Sequence, residues 1–133
     1  MSRIIIIDDS LFVRYTMSQM LTPAGHEMVG EAANGLDGLR LINRLQPDLV
    51  ILDINMPGMD GITVLKALRR NHPTVRVLLC SGLGSGRQRT AAFDNGAHGF
   101  LTKPYLGDDL ITCVRTTLHT ALEGLGPVIP TAA

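Results

Sequence analysis

The sequence predicts an α/β fold: one doubly wound parallel sheet of five strands, carrying five helices. Three observations carry that prediction. Short β-branched runs alternate strictly with amphipathic stretches, the pattern of a parallel sheet with crossover helices. The first run, Arg3-Ile4-Ile5-Ile6-Ile7, has isoleucine at successive positions, so it is apolar on both faces as a central strand should be. Acids or a lysine stand behind three of the runs: Asp8 and Asp9 after Ile7, Asp53 after Leu52, and Lys103 after Thr102.

The elements follow in order. The first strand covers Arg3 to Ile7. The first helix runs from Ser10 to Thr22, where Leu11, Val13, Met17, Met20 and Leu21 recur near helical period and Pro23-Ala24-Gly25 stops it. The second strand, Met28 to Ala32, is less apolar and reads as an edge. The second helix follows Asn34-Gly35 with Leu36, Leu39, Ile42 and Leu45 on one face, and ends at Pro47. The third strand is Leu49 to Leu52. Asp60 is a candidate N-cap for a third helix whose Ile62, Leu65 and Leu68 face inward, closed by His72-Pro73. The fourth strand is Val75 to Cys80, and a short, weakly apolar fourth helix spans Arg87 to Asp94. The fifth strand is Gly99 to Leu101. The fifth helix spans Asp108 to Glu123, with its two acids at the positive helix end and Leu110, Ile111, Val114, Leu118 and Leu122 as its core stripe. Right-handed crossovers then place helices on both faces of the sheet.

A chain of 133 residues suits one domain. Residues 1–123 are expected to form the module, and 124–133, with two glycines and two prolines, a flexible tail. Hydrophobic content of 45% against 18% charged favours a packed core over disorder. A formal net charge of zero leaves no basic stripe for a phosphate backbone, so direct nucleic-acid binding is not expected. Cys80 and Cys113 form no CxxC pair and read as free thiols, and the four histidines lack ligand spacing. No run reaches membrane-spanning length, and the expected location is the cytoplasm.

In an open parallel sheet the C-terminal strand ends share one edge, and ligands bind in the crevice outside it. Asp8, Asp9, Asp53 and Lys103 would therefore meet in one pocket. Three acids there repel one another, and a single lysine does not neutralise them. A hard divalent ion with oxygen ligands completes such a set: Mg2+, with Mn2+ equally acceptable to carboxylates alone. The chemistry this points to is phosphoryl transfer onto a carboxylate.

Taken with Met56-Pro57-Gly58-Met59-Asp60-Gly61 behind Asp53, Ser81 behind the fourth strand, and Lys103-Pro104, these residues resemble the receiver domains of two-component signalling, of the stand-alone chemotaxis (CheY-like) type. The likeness runs from Arg3 to about Leu122. It implies a flavodoxin-like sheet of order 2-1-3-4-5 and the following roles. Asp53 would be the phosphoacceptor. Asp8, Asp9, Asp53 and the backbone carbonyl of Asn55 would hold Mg2+. Lys103 would pair with Asp53 when that residue is free, and with a phosphoryl oxygen when it is occupied. Ser81 would move toward the phosphoryl group and Phe100 would turn inward behind it. A Lys103-Pro104 cis bond is common in the family. The donor would be a histidine kinase or phosphotransfer protein. The output would be an altered face on the fourth helix, fifth strand and fifth helix, with Arg87, Arg89, Tyr105, Leu106 and Asp108 as contacts for an unknown downstream protein. A monomer is expected, with dimerisation on phosphorylation left open.

Bland readings stand beside these. Asp8 and Asp9 could serve a turn and a helix cap, Ser81 a loop, and Phe100 the core alone. Gly82-Leu83-Gly84-Ser85-Gly86 resembles a phosphate cradle, but the dinucleotide fingerprint needs glycine where Arg87 stands. Apolar Leu83, beside Asn55 at the water-flanking positions of the family, implies slow self-dephosphorylation. A fragment of a larger regulator and a phosphorelay intermediate remain alternatives. A phosphatase of haloacid dehalogenase type is disfavoured, because its nucleophile follows the first strand and a second acid lies two positions on, where Asn55 stands here.

Overall fold

A computed structural model describes residues 1–82 and 86–120 of the chain. The expected tail 124–133, the end of the fifth helix at 121–123, and Leu83 lie outside the described residues. The elements are β1 (Arg3–Ile7), α1 (Leu11–Leu21), β2 (Glu27–Ala32), α2 (Gly35–Leu45), β3 (Leu49–Asp53), α3 (Gly61–Asn71), β4 (Arg76–Ser81), α4 (Gly86–Asp94), β5 (Gly99–Thr102) and α5 (Gly107–Leu118). The strands form one parallel sheet in the order β2-β1-β3-β4-β5, the flavodoxin-like order expected from the resemblance.

Alternation of side chains along each strand sends apolar residues to both faces, and each face gains its own core. On one side Ile5, Ile7, Val50, Leu52, Val77 and Leu79 pack with Ile42 of α2, Val64, Leu65 and Leu68 of α3, and Ala92 and Phe93 of α4. On the other, Ile4, Ile6, Leu49, Ile51, Leu78 and Cys80 meet Met17 and Leu21 of α1 and Leu110 and Val114 of α5. The four isoleucines of β1 are at most 1% exposed, and burial of each contributes about 1.5–3 kcal/mol. Among the described residues no helix is long and apolar enough to cross a membrane.

Several expected boundaries and faces shift. β3 and β4 each extend one residue further than the apolar pattern, so Asp53 and Ser81 end strands rather than open loops. Among the described residues α5 spans Gly107–Leu118, with a turn at 119–120. Leu11, the first residue of α1, is 68% exposed rather than part of the core stripe. Leu36, in the first turn of α2, is exposed as well, and Val64 joins Leu65 and Leu68 on the inner face of α3, with half-buried Ile62 packed against the same core. Asp60 caps α3 as expected, its Oδ1 accepting from the Thr63 N–H at 2.9 Å, and Ser10 caps α1, its Oγ accepting from the Val13 N–H at 3.2 Å.

Two contacts tie the fold to the sheet edge where the acids stand. Gly61 donates its N–H to Ile54 O at 3.0 Å, and a Cβ there would lie 2.5 Å from the Asp53 carbonyl oxygen and 2.7 Å from Ile54 Cα. Only glycine lets α3 approach β3 this closely. Buried His98, just before β5, donates its backbone N–H to Val77 O at 2.9 Å while its Nδ1 accepts the Val77 N–H at 3.0 Å. Burial, reinforced by Arg69 and Arg76, holds its pKa down at about 4.

Gly61→Ala is expected to destabilise the protein by about 1–3 kcal/mol, read as a lower urea midpoint, because backbone and not a flexible side chain must yield. The depressed His98 pKa has a pH signature. Between about 6.5 and 4 the unfolded chain takes up a proton that the folded chain refuses. Stability from this group is thus complete above pH 6.5 and falls by up to about 3 kcal/mol as pH drops to 4. His98→Asn, whose side-chain oxygen can accept the same N–H, should flatten that part of the urea-stability profile.

Candidate functional site

The register of the sheet assembles the site. Ile7 pairs with Leu52 and with Ala32, Asp53 with Cys80, and Ser81 with Thr102, so the ends of β1, β3, β4 and β5 lie abreast. Asp8 and Asp9 follow β1, Asp53 closes β3, Ser81 closes β4 and Lys103 follows β5. Carboxylate oxygens of Asp8, Asp9 and Asp53 all lie within 4.8 Å of one another. Asp8 and Asp53 are 2% and 6% exposed, whereas Asp9 faces solvent, so the pocket has two walled acids and one at its mouth.

Asp8 serves the local turn with one oxygen and the pocket with the other. Its Oδ1 accepts the Ser10 N–H at 2.9 Å, a turn that starts α1, and its Oδ2 accepts from Lys103 Nζ at 2.8 Å. Lys103 Nζ lies 3.8 Å from Asp53 Oδ1, so the expected lysine–Asp53 pair is present but is the looser of two. The Lys103 N–H also donates to Ser81 O at 2.7 Å, and the Lys103-Pro104 bond is cis.

Burial pushes the Asp53 carboxyl above its ordinary pKa; Lys103 and the Asn55 N–H, 3.2 Å from Asp53 Oδ1, pull it down, while Asp8 and Asp9 push it up. For Lys103, burial opposes the charge, but the Asp8 hydrogen bond and the charges of Asp53 and Asp8 outweigh it and raise the pKa. The set therefore holds excess negative charge in a partly dry pocket. Three carboxylate oxygens this close fit a small hard cation, whose octahedral shell needs oxygen donors on one side and tolerates water on the other. The residues present suit Mg2+.

Ser81 is fully buried, not a loop serine, and its hydroxyl donates to Gln88 Oε1 of α4. Gln88 Nε2 in turn donates to Asn55 Oδ1 at 3.2 Å. Phe100, 8% exposed, belongs to the core beside α4, with the Arg89 guanidinium 5.8 Å from its ring centroid and 5.3 Å from that of Phe93. Arg89, Phe93, Phe100, Asp108 and Cys113 line a cavity of about 340 Å³ on the expected output face.

Two residues escaped the sequence reading. Arg14 of α1 donates from Nη1 to the Asp8 carbonyl at 2.7 Å and from Nε to Glu31 Oε1 at 2.7 Å, fixing the backbone under the acids. Its signal was an arginine inside the apolar period of α1. Gln88 had none: an amide on a weakly apolar helix reads as a solvated face.

Without added metal, Lys103→Met leaves Asp8 and Asp53 uncompensated and should cost about 1–3 kcal/mol of urea stability. Millimolar Mg2+ should recover much of that loss in the variant.

The comparisons with known proteins agree with this geometry. The family model of the response regulator receiver domain matches residues 4–115. The chemotaxis protein CheY of Bacillus subtilis is 37% identical over 117 residues, which span 88% of this chain and 98% of that protein. A protein-glutamate methylesterase/protein-glutamine glutaminase of Archaeoglobus fulgidus is 43% identical across 92% of this chain but only 38% of its own length. The structure of the Vibrio cholerae chemotaxis protein CheY4 superposes with a TM-score of 0.81 at 28% identity, covering 88% of this chain and 98% of that one. The chain belongs to the response regulator receiver domain family of two-component signalling.

Proposed function

We propose that the chain is a single-domain response regulator that accepts a phosphoryl group on Asp53 from the phosphohistidine of a kinase or phosphotransfer protein. The observation that carries this reading is the buried Asp53 carboxylate set between Asp8, Asp9 and Lys103 at the end of β3. An Asp53 oxygen attacks phosphorus, a P–O bond forms as the donor P–N bond breaks, and the departing imidazole takes up a proton. Receiver domains bind Mg2+ through an acidic cluster; here Asp8, Asp9, Asp53 and the Asn55 carbonyl would hold it, and the ion would offset charge on the phosphoryl oxygens.

The remaining groups answer the charge that arrives. Lys103 Nζ, already within 4.0 Å of both buried acids, follows the negative charge outward to a phosphoryl oxygen. Ser81 supplies a hydroxyl donor from the end of β4, and Phe100 repacks behind it. The output is docking of a cytoplasmic partner on α4, β5 and α5, where Arg87, Arg89, Tyr105, Leu106 and Asp108 stand. The protein then acts as a binding module whose only chemistry is on its own aspartate. The match to B. subtilis CheY, which covers 98% of that protein, supports the stand-alone form. The partial match to the longer methylesterase keeps a receiver segment of a larger regulator as a second reading.

Intact mass after incubation with acetyl phosphate tests the proposal. One added phosphoryl group that requires Mg2+, is released by hydroxylamine and is absent from Asp53→Asn is expected. An adduct that persists in that variant would overturn the assignment of Asp53.

A further inference from the structure

We propose that Gln88 is a positioning residue that holds the Ser81 hydroxyl in the resting arrangement and releases it when a phosphoryl group occupies Asp53; this rests on the phosphoacceptor reading of Asp53. A serine hydroxyl has one proton to donate. In this structure Ser81 donates it to Gln88 Oε1. The same proton cannot also serve a phosphoryl oxygen. Occupation of Asp53 and the Ser81–Gln88 bond are therefore mutually exclusive uses of one donor.

The place of Gln88 turns that exclusivity into coupling. Its amide spans two strand ends, taking the hydroxyl at the end of β4 with Oε1 and giving Nε2 to Asn55 Oδ1, two residues beyond Asp53, at 3.2 Å. Residues 88 and 92 are one helical turn apart, and Ala92 is fully buried, so Gln88 leaves α4 on its sheet-facing side. The buried residues of α4 itself are Ala92 and Phe93. A helix with so short an apolar face takes a larger share of its placement from polar ties at its start. When the hydroxyl turns to the phosphoryl group, the Gln88 amide loses its bond to the end of β4 while its bond to Asn55 can remain, so the first turn of α4 shifts its anchorage from β4 toward the loop after β3. The helix that carries Arg87 and Arg89 thus senses the state of Asp53 through one amide.

Because the resting bond must break, it opposes the occupied state by its net worth. A hydrogen bond of this kind is worth about 0.5–1.5 kcal/mol, which corresponds to an opposing factor of roughly 2 to 12. Gln88→Met keeps length, volume and helix propensity while removing both the acceptor and the donor.

Fluoroberyllate in the presence of Mg2+ serves as the phosphoryl mimic, with affinity read by fluorine NMR titration. Gln88→Met is expected to bind it about 3- to 10-fold more tightly than wild type. In a Ser81→Ala background the same change should move the affinity by less than about twofold, since the hydroxyl it releases is gone. That dependence on Ser81 separates positioning from any general loosening of α4. Equal or weaker binding by Gln88→Met, or an equal gain in both backgrounds, overturns the proposal while leaving the receiver reading intact. Failure of wild type to bind fluoroberyllate at all overturns both.

Discussion

Everything else in the structure is arranged around one electrostatic constraint: three carboxylates share a pocket with a single ammonium. Lys103 lies 2.8 Å from one buried acid and 3.8 Å from another, and no arrangement of these groups reaches neutrality without a cation. Such a cluster opposes folding, so it exists only where a rigid scaffold imposes it. The scaffold is the set of central strands, whose isoleucines, leucines and valines are buried on both faces. The two cores hold the strands in register, and the register holds the acids together against their repulsion.

Close packing extends that rigidity to the pocket wall. Gly61 brings the start of α3 onto the Asp53 backbone, Arg14 ties the Asp8 carbonyl to α1 and to Glu31 of β2, and His98 secures the entry to β5 through both hydrogen bonds with Val77. The acids are thus fixed from helix, strand and loop at once. By contrast, α4 contributes two buried residues and meets the site through Gln88. The molecule combines a stiff acidic edge with one lightly seated helix beside it.

The parts of this design that follow from periodicity were legible in the sequence. Unbroken apolar runs announce strands covered on both faces, and charged residues at their ends announce a crevice, so Asp8, Asp9, Asp53 and Lys103 could be brought together on paper. Boundaries were less legible, because Asp53 and Ser81 extend the hydrogen-bonded ladder after the apolar pattern has stopped. Helix faces failed at first turns: Leu11 and Leu36 satisfy the period yet are exposed, and period carries no information about where burial begins along a helix. Gln88 and the His98–Val77 pair were invisible for another reason. Each is a polar group whose meaning is a partner distant in sequence, and no local pattern encodes such a partner.

The backbone bond from Lys103 N–H to Ser81 O has a mechanical meaning of its own. It is the last rung between β4 and β5, and it joins the ammonium-bearing residue to the hydroxyl-bearing one. The backbones that carry these two groups are therefore not free to move independently. A slide of the edge strand β5 would pull on the end of β4 through this rung, and the spacing of the ammonium and the hydroxyl is set by backbone as well as by rotamer.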